Sequence, residues 1–288
     1  MANQVINKVF YKNSQSMSEL IDASIHLIVT SPPYFNVKDY SKDGYQQNQL
    51  NSKKVNQLGD ISDYKNFIAE LLKVWIECER VLKPNGKLVI NSPLMPMKKK
   101  DFSTHYNRHI FDLNSDIQQS IIYRNDTQMH LFDTYIWDRK NSTKKLMFGS
   151  YPYPRNFYAQ NTSEFITVYV KDGKNNDTAP SETKNNSKLT QAEWVEFTKQ
   201  IWSIPIPNKE DLAFGDHSAI MPEEIARRCI RLFTFEGDLV LDPFAGSGTT
   251  LKVAKELNRN YLGYEVVQDY KKLIDKKLDS VTQLKLDL

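Results

Sequence analysis

The 288 residues, 40% hydrophobic and 11% aromatic, suffice for one large α/β domain or one domain with a smaller insert, and a formal charge of +3 requires any basic footprint to be local. Cys78 and Cys229 are too few for a disulfide framework or a metal site, and each falls on the apolar stripe of a predicted helix, which points to packing. The opening MANQVINKVFYKN holds no apolar signal core and no stretch reaches the length of a membrane span, so the expected location is the cytoplasm, with no membrane partner.

A short strand is expected at Val9 to Tyr11, then a helical turn, then a strand from Ile25 to Thr30. That strand runs into Ser31-Pro32-Pro33-Tyr34, where two prolines remove ladder donors and end it. The polar stretch from Phe35 to Asp60 lacks periodicity, and a connection of that length inside a compact domain is usually functional. Phe67, Leu71, Trp75, Cys78 and Leu82 recur on one face and predict a helix over 62–82. Pro84-Asn85-Gly86 stops it, and Lys87 to Asn91 reads as a strand. A helix over Ser115 to Tyr123 and strands at Phe132 to Trp137 and Glu164 to Val170 follow. The tract 171–188 is low in hydrophobicity, and 171–200 reads as a small exposed insert. In the last third, Pro222-Glu223-Glu224 opens a helix, followed by a strand at Leu239 to Leu241, a helix from Thr249 and a strand at Tyr261 to Tyr264. Alternating strands and helices predict an α/β fold around a mostly parallel, doubly wound sheet; no internal repeat is present.

Two constellations carry chemistry. In Asp242-Pro243-Phe244-Ala245-Gly246-Ser247-Gly248-Thr249-Thr250 a strand enters a small-residue turn and then a helix, so backbone can approach a ligand at the carboxyl edge of the sheet. Position 251 is leucine where a dinucleotide fingerprint needs glycine, and no phosphate-loop lysine follows, so a pyrophosphate ligand is disfavoured. Glu265, ending the next strand, is placed to accept hydrogen bonds from a ribose diol; the same residues would also suit a packing turn beside a solvated acid. The second constellation is Ser31 to Tyr34. A planar base could stack on Tyr34 while its amino group donates to the Pro32 carbonyl and the Ser31 hydroxyl, although a rigid turn with an exposed aromatic reads equally well.

Together the two runs resemble the amino-methyltransferases that use S-adenosylmethionine. The order, catalytic Ser31-Pro32-Pro33-Tyr34 before cofactor-binding Asp242 to Thr249, is similar to that of the circularly permuted beta class of DNA methyltransferases. Further similarity lies in Arg80 to Gly86 before a strand, in Phe148 to Pro154 with Glu164, and in His217-Ser218-Ala219 before Pro222. The resemblance, which leaves out roughly 171–200, implies a circularly permuted, Rossmann-like methyltransferase fold for a single domain over 1–288; the small insert 171–200, with Trp194 and Phe197 at its end, is expected to contribute to target recognition. The resemblance also implies a cofactor pocket of Asp242, Pro243, Phe244, Ala245, Gly246, Ser247, Gly248, Thr249 and Glu265, completed by His217 and Ser218. Asn13 stands where the family often has an aspartate against the adenine, and Ser218 where it often has proline.

An aromatic amine is a poor nucleophile because its lone pair is delocalised. Accepting its N–H protons at Ser31 and the Pro32 carbonyl frees that pair, and no cysteine intermediate is required. The expected partner is double-stranded DNA, its target base flipped out and its phosphates met by Arg108, Lys140, Lys144, Lys145 and Arg155, with Lys98 to Lys100 and Arg139 as further candidates. Serine at position 31, where adenine-modifying relatives usually carry aspartate, predicts cytosine N4 as the target; adenine N6 is the alternative, and RNA or protein methylation a more distant one. A cognate restriction endonuclease and a homodimer are partners that the resemblance raises.

Overall fold

The computed structural model describes residues 4–35, 57–98, 105, 108–140, 150–157, 159–174, 179–215 and 219–286. In chain order the elements are β1 (Lys8–Phe10), β2 (Ile25–Thr30), α1 (Tyr64–Val81), β3 (Leu82–Ser92), β4 (Leu94–Lys98), β5 (Arg108–Asp112), α2 (Leu113–Ile122), β6 (Met129–Lys140) and β7 (Ser163–Lys171). There follow α3 (Ser181–Asn186), α4 (Gln191–Phe197), β8 (Ile201–Pro205), α5 (Glu223–Phe233), β9 (Leu239–Asp242), α6 (Thr249–Glu256), β10 (Asn260–Tyr264) and α7 (Lys271–Leu286).

The main sheet is eight-stranded, in the order β1-β10-β9-β2-β3-β7-β6-β8. Every neighbouring pair is parallel except the two that involve β7, so β7 alone runs backwards. Central strands β2 and β9 are almost wholly buried, and their sequences IHLIVT and LVLD are accordingly apolar runs without the alternation of a half-exposed strand. One face is covered by α1 and α2, whose Phe67, Leu71, Trp75, Cys78, Ile117 and Ile121 join Ile28, Leu88 and Leu241 in one core. The other face is covered by α5 and α6, with Ile225, Cys229 and Val253 against Leu27, Val29 and Val240. Both cysteines are buried, and burial pushes both thiols well above their usual range. This is a doubly wound, mostly parallel α/β sheet, as the alternation predicts.

Winding changes direction between β9 and β2. From β9 the chain passes through α6 to β10, outward on one side, while β2 leads to β3 on the other. In open α/β sheets the crevice beyond the carboxyl ends of two such strands is where ligands bind. Asp242 ends β9 and Thr30 ends β2, so the two motifs read from the sequence flank this crevice.

Several boundaries differ from expectation. The first strand begins one residue earlier, and β6 extends well beyond Phe132 to Trp137 because it pairs with β7 on one side and β8 on the other. The segment between β1 and β2 makes turns rather than helix. The hairpin β4–β5 forms from a polar stretch containing Pro96 that carries no strand signal; its register sets Lys98 opposite Arg108.

In the insert, α4, closed by a capping box of Thr190 and Glu193, and the residues on either side of it pack against α5 and the turn that follows α5. Arg231 bonds the Lys188 carbonyl at 2.9 Å and pairs with Glu193 at 3.0 Å, Arg228 sits 5.1 Å over the Phe197 ring, and Ser187 Oγ accepts from the Glu236 N–H. The segment leaves the end of the reversed strand β7 and returns at the start of β8, which places it at the amino edge of the parallel strands, opposite Ser31 and Asp242.

Candidate active site

Thr30 and Asp242 tie the two motifs together. Thr30 Oγ1 donates to Asp242 Oδ1 at 2.7 Å in a buried contact, and the same oxygen accepts from the Phe244 N–H at 3.0 Å. Burial pushes the Asp242 carboxyl up to about 6, against these donors and Thr250, which favour the ionised form. Hydrogen bonds to a charged group are worth about 1.5–3 kcal/mol, so the clamp holds Ser31, one residue beyond Thr30, at a fixed distance from the turn after Asp242.

That turn depends on glycine. Gly246 has φ 51° and Gly248 φ 82°, left-handed values that a side chain disfavours, and Gly248 leads directly into α6. Pro243 and Ala245 are buried, Phe244 packs edge-on against Trp75, and Ala245 lies against Leu251 and Ile274. Lys277, on α7 and 1% exposed, donates to Thr249 Oγ1 at 2.9 Å and Ser247 Oγ at 3.3 Å and pairs with Asp211 at 3.1 Å. Burial lowers its pKa, partly offset by Asp211. Nothing in the sequence singled out Lys277, since one lysine in DKKL reads as a solvated face.

Glu265 is 8% exposed beyond the end of β10. Its Oε2 accepts from Gly246 N–H at 2.8 Å and its Oε1 from Val267 N–H at 2.7 Å. Burial pushes its pKa up to about 7 despite these bonds. Each carboxylate oxygen has two acceptor sites, so capacity for a ligand diol remains. Asn13 lies beyond β1 on the same edge, exposed, its side chain accepting from the Gln15 N–H at 2.8 Å. His217 and Ser218 lie outside the described residues.

On the other side of the crevice Pro32 and Phe35 are buried while Ser31, Pro33 and Tyr34 are partly exposed. A single turn of 3-10 helix, Leu58–Asp60, backs this segment so closely that a Cβ on Gly59 would stand 2.8 Å from the Tyr34 carbonyl oxygen. Phe35 is wedged among Tyr64, Phe67 and Phe111, the last on β5. Glu164 on β7 is a carboxylate that is 4% exposed. Asn91 Nδ2 on β3 donates to Glu164 at 2.7 Å and Arg139 on β6 at 3.1 Å. Burial pushes the Glu164 carboxyl up, and Arg139, Asn91 and Tyr34 oppose it.

Among the expected DNA contacts, Lys140 ends β6 at the crevice edge, exposed, and Arg155 is exposed with φ 83° between β6 and β7 on that edge. Arg108 opens β5. Arg139 is committed instead to Glu164 and to the Asn161 carbonyl, so it is not a free phosphate ligand. Lys144 and Lys145 lie outside the described residues. Among the described residues no helix is long and apolar enough to cross a membrane.

The sequence profile of a family described as DNA methylase, covering N6 and N4 enzymes, matches residues 25–276. A Type II methyltransferase of Methanothermobacter thermautotrophicus is 30% identical over 285 residues, covering 96% of this chain and 78% of the relative. One from Methanocaldococcus jannaschii is 30% identical over 286 residues, covering 94% and 91%. A solved structure from Thermus thermophilus, described as a putative DNA modification methylase complexed with S-adenosyl-L-methionine, superposes with a TM-score of 0.72 at 28% identity, covering 96% of this chain and 94% of that one. The crevice fits such a cofactor, with two glycines at left-handed φ in the turn after β9 and a buried carboxylate with acceptor capacity at the next strand end. The chain therefore belongs to the N6/N4 DNA methylase family, whose methyl donor is S-adenosylmethionine.

Proposed function

We propose that the chain methylates the exocyclic N4 of cytosine in double-stranded DNA, as the modification enzyme of a Type II restriction-modification pair. The observation that carries this reading is the Thr30–Asp242 hydrogen bond, which joins a serine-bearing Ser31-Pro32-Pro33-Tyr34 turn to the glycine turn across the crevice. S-adenosylmethionine supplies, when bound, a methyl group made electrophilic by its sulfonium. Asp242 to Thr249 and Glu265 hold the cofactor, with Glu265 accepting from the ribose hydroxyls. Ser31 Oγ and the Pro32 carbonyl accept the two amino protons of a base stacked on Tyr34, which returns the lone pair to nitrogen for in-line attack. The proton released by the methylated amine leaves through the Ser31 hydroxyl to solvent.

Serine favours cytosine over adenine on this reading. A neutral hydroxyl accepts from the amine and donates elsewhere, so no unpaired charge is set beside the cytosine ring. Lys140 and Arg155 supply phosphate contacts at the same edge, Arg108, Lys144 and Lys145 are assigned the same role from the sequence, and the similarity to Type II methyltransferases supports a cognate endonuclease acting on the same site.

Nucleoside mass analysis of unmethylated genomic DNA treated with the pure enzyme and cofactor tests this directly. The expected product is N4-methylcytosine. N6-methyladenine alone overturns the cytosine assignment, and methylation confined to RNA or to protein overturns the DNA substrate.

A further inference from the structure

The buried face of α7 meets the glycine turn twice. A Cβ on Gly248 would stand 3.2 Å from Ile274 Cγ1, so α7 packs directly against the backbone of the turn. Three residues later, on the same face, Lys277 brings a charge to the same place. The three protons of its ammonium are matched by Thr249 Oγ1 at 2.9 Å, Asp211 Oδ1 at 3.1 Å and Ser247 Oγ at 3.3 Å. Asp211 belongs to neither α7 nor the turn. It lies in the connection from the edge strand β8 to α5, where it also accepts from the Ala213 N–H at 2.8 Å. β8 ends at the carboxyl edge and α5 leads back to the start of β9, so both ends of this connection lie on the crevice side of the sheet. Burying this lysine costs free energy in two ways. It is 1% exposed, and a cation beside the first residue of α6 stands at the positive end of that helix's dipole. A methionine would fill the volume without either cost. What the ammonium adds is a single point that joins three elements: the turn, α7 and the β8–α5 connection.

We propose that Lys277, paired with Asp211, is a positioning residue for the methyl donor: it fixes the Ser247-Gly248-Thr249 backbone, latches the β8–α5 connection onto it, and so sets cofactor affinity. The inference rests on the reading of Asp242 to Thr249 as the cofactor turn. A turn held in place before the cofactor arrives need not be ordered on binding, so losing the latch weakens binding rather than the transfer step.

The test is a double-mutant cycle of Lys277→Met and Asp211→Ala. It is read by calorimetry with S-adenosylmethionine, by methyl transfer to unmethylated genomic DNA and by thermal unfolding. Each single variant is expected to bind the cofactor about tenfold more weakly, as loss of one charge-assisted hydrogen bond allows, and to raise KM for the cofactor alike. kcat at saturating cofactor and KM for DNA are expected at parent values. The double variant is expected to bind no more weakly than the worse single one, because both remove the same contact. It also leaves neither partner's charge unpaired, so its thermal midpoint is expected at or above those of the singles. Affinity that climbs back with the midpoint would make the pair merely structural and overturn the proposal. Multiplicative losses, a loss in kcat alone, or parent affinity in either single variant would overturn it too. Should one single variant fail to fold, the other decides by itself on the same criterion. Gly246→Val separates the two levels: unchanged affinity in that variant removes the cofactor-turn reading and this inference with it. Binding abolished by Gly246→Val beside parent affinity in Lys277→Met and Asp211→Ala removes the inference alone.

Discussion

Glu265 combines two demands that pull against one another. A carboxylate is the best acceptor for a diol, yet the site that encloses it has raised its pKa to about 7 by burial. A raised carboxyl pKa gives proton-linked stability that is fully present below the ordinary carboxylate range and is lost as pH rises through about 7. For a shift of this size the loss is on the order of 3 kcal/mol. Cofactor affinity runs the other way, because the ionised form is the stronger acceptor. Calorimetry between pH 6 and 8.5 is expected to show affinity rising with pH, while Glu265→Gln binds weakly and without that slope. A parent profile as flat as that of the variant would remove Glu265 from the ribose contact. Little of this was legible beforehand. Glu265 was found by its place at a strand end, but its carboxylate is held by backbone N–H groups of Gly246 and Val267 that no side-chain pattern encodes. Lys277 was missed for the same reason: its partners lie on other elements, and a lysine in DKKL looks the same in sequence whether buried or solvated.

At the scale of elements, the strands and helices that carry both motifs were readable because continuous apolar runs and 3.6-residue stripes reflect burial directly. The hairpin β4–β5, the edge strand β8 and the short helices α3 and α4 were not, since each gains its stability from docking rather than from its own periodicity. The turn at Leu58–Asp60 belongs with them. It lies at the end of a polar stretch, and its relevance comes only from Gly59 standing against the Tyr34 carbonyl. Gly59→Ala would place a methyl carbon 2.8 Å from that oxygen, so one of the two segments must shift. Displacements of this kind cost about 10- to 100-fold in rate when they move a group that aligns reactants. Methyl transfer is therefore expected to fall by that factor with cofactor affinity unchanged. Turnover equal to the parent's would mean that the Ser31 to Tyr34 turn tolerates being pushed.

Across the whole molecule the two edges of the sheet have different work. Both motifs, Lys140 and Arg155 gather at the carboxyl edge, whereas α3 and α4 cap the amino edge. Trp194, 60% exposed on α4, is the kind of aromatic that sequence alone offers as a base-reading residue. Its location leads to the opposite expectation: Trp194→Ser should leave DNA affinity and turnover within about twofold of the parent and stability within about 0.5 kcal/mol. Loss of DNA binding in a titration would return the insert to target recognition.

The pairing of β1 with β10 has a consequence for how the enzyme comes into being. Asn7 and Tyr261, joined by a hydrogen bond, are 254 residues apart in sequence. At about 5–20 residues per second, a ribosome delivers the partner of β1 roughly 10 to 50 s after β1 itself. The Ser31 to Tyr34 turn is likewise synthesised long before Asp242 to Thr250 and Glu265. A nascent chain thus holds the Ser31 to Tyr34 turn with nothing opposite, and its crevice is complete only when β9 and β10 slide in between β1 and β2.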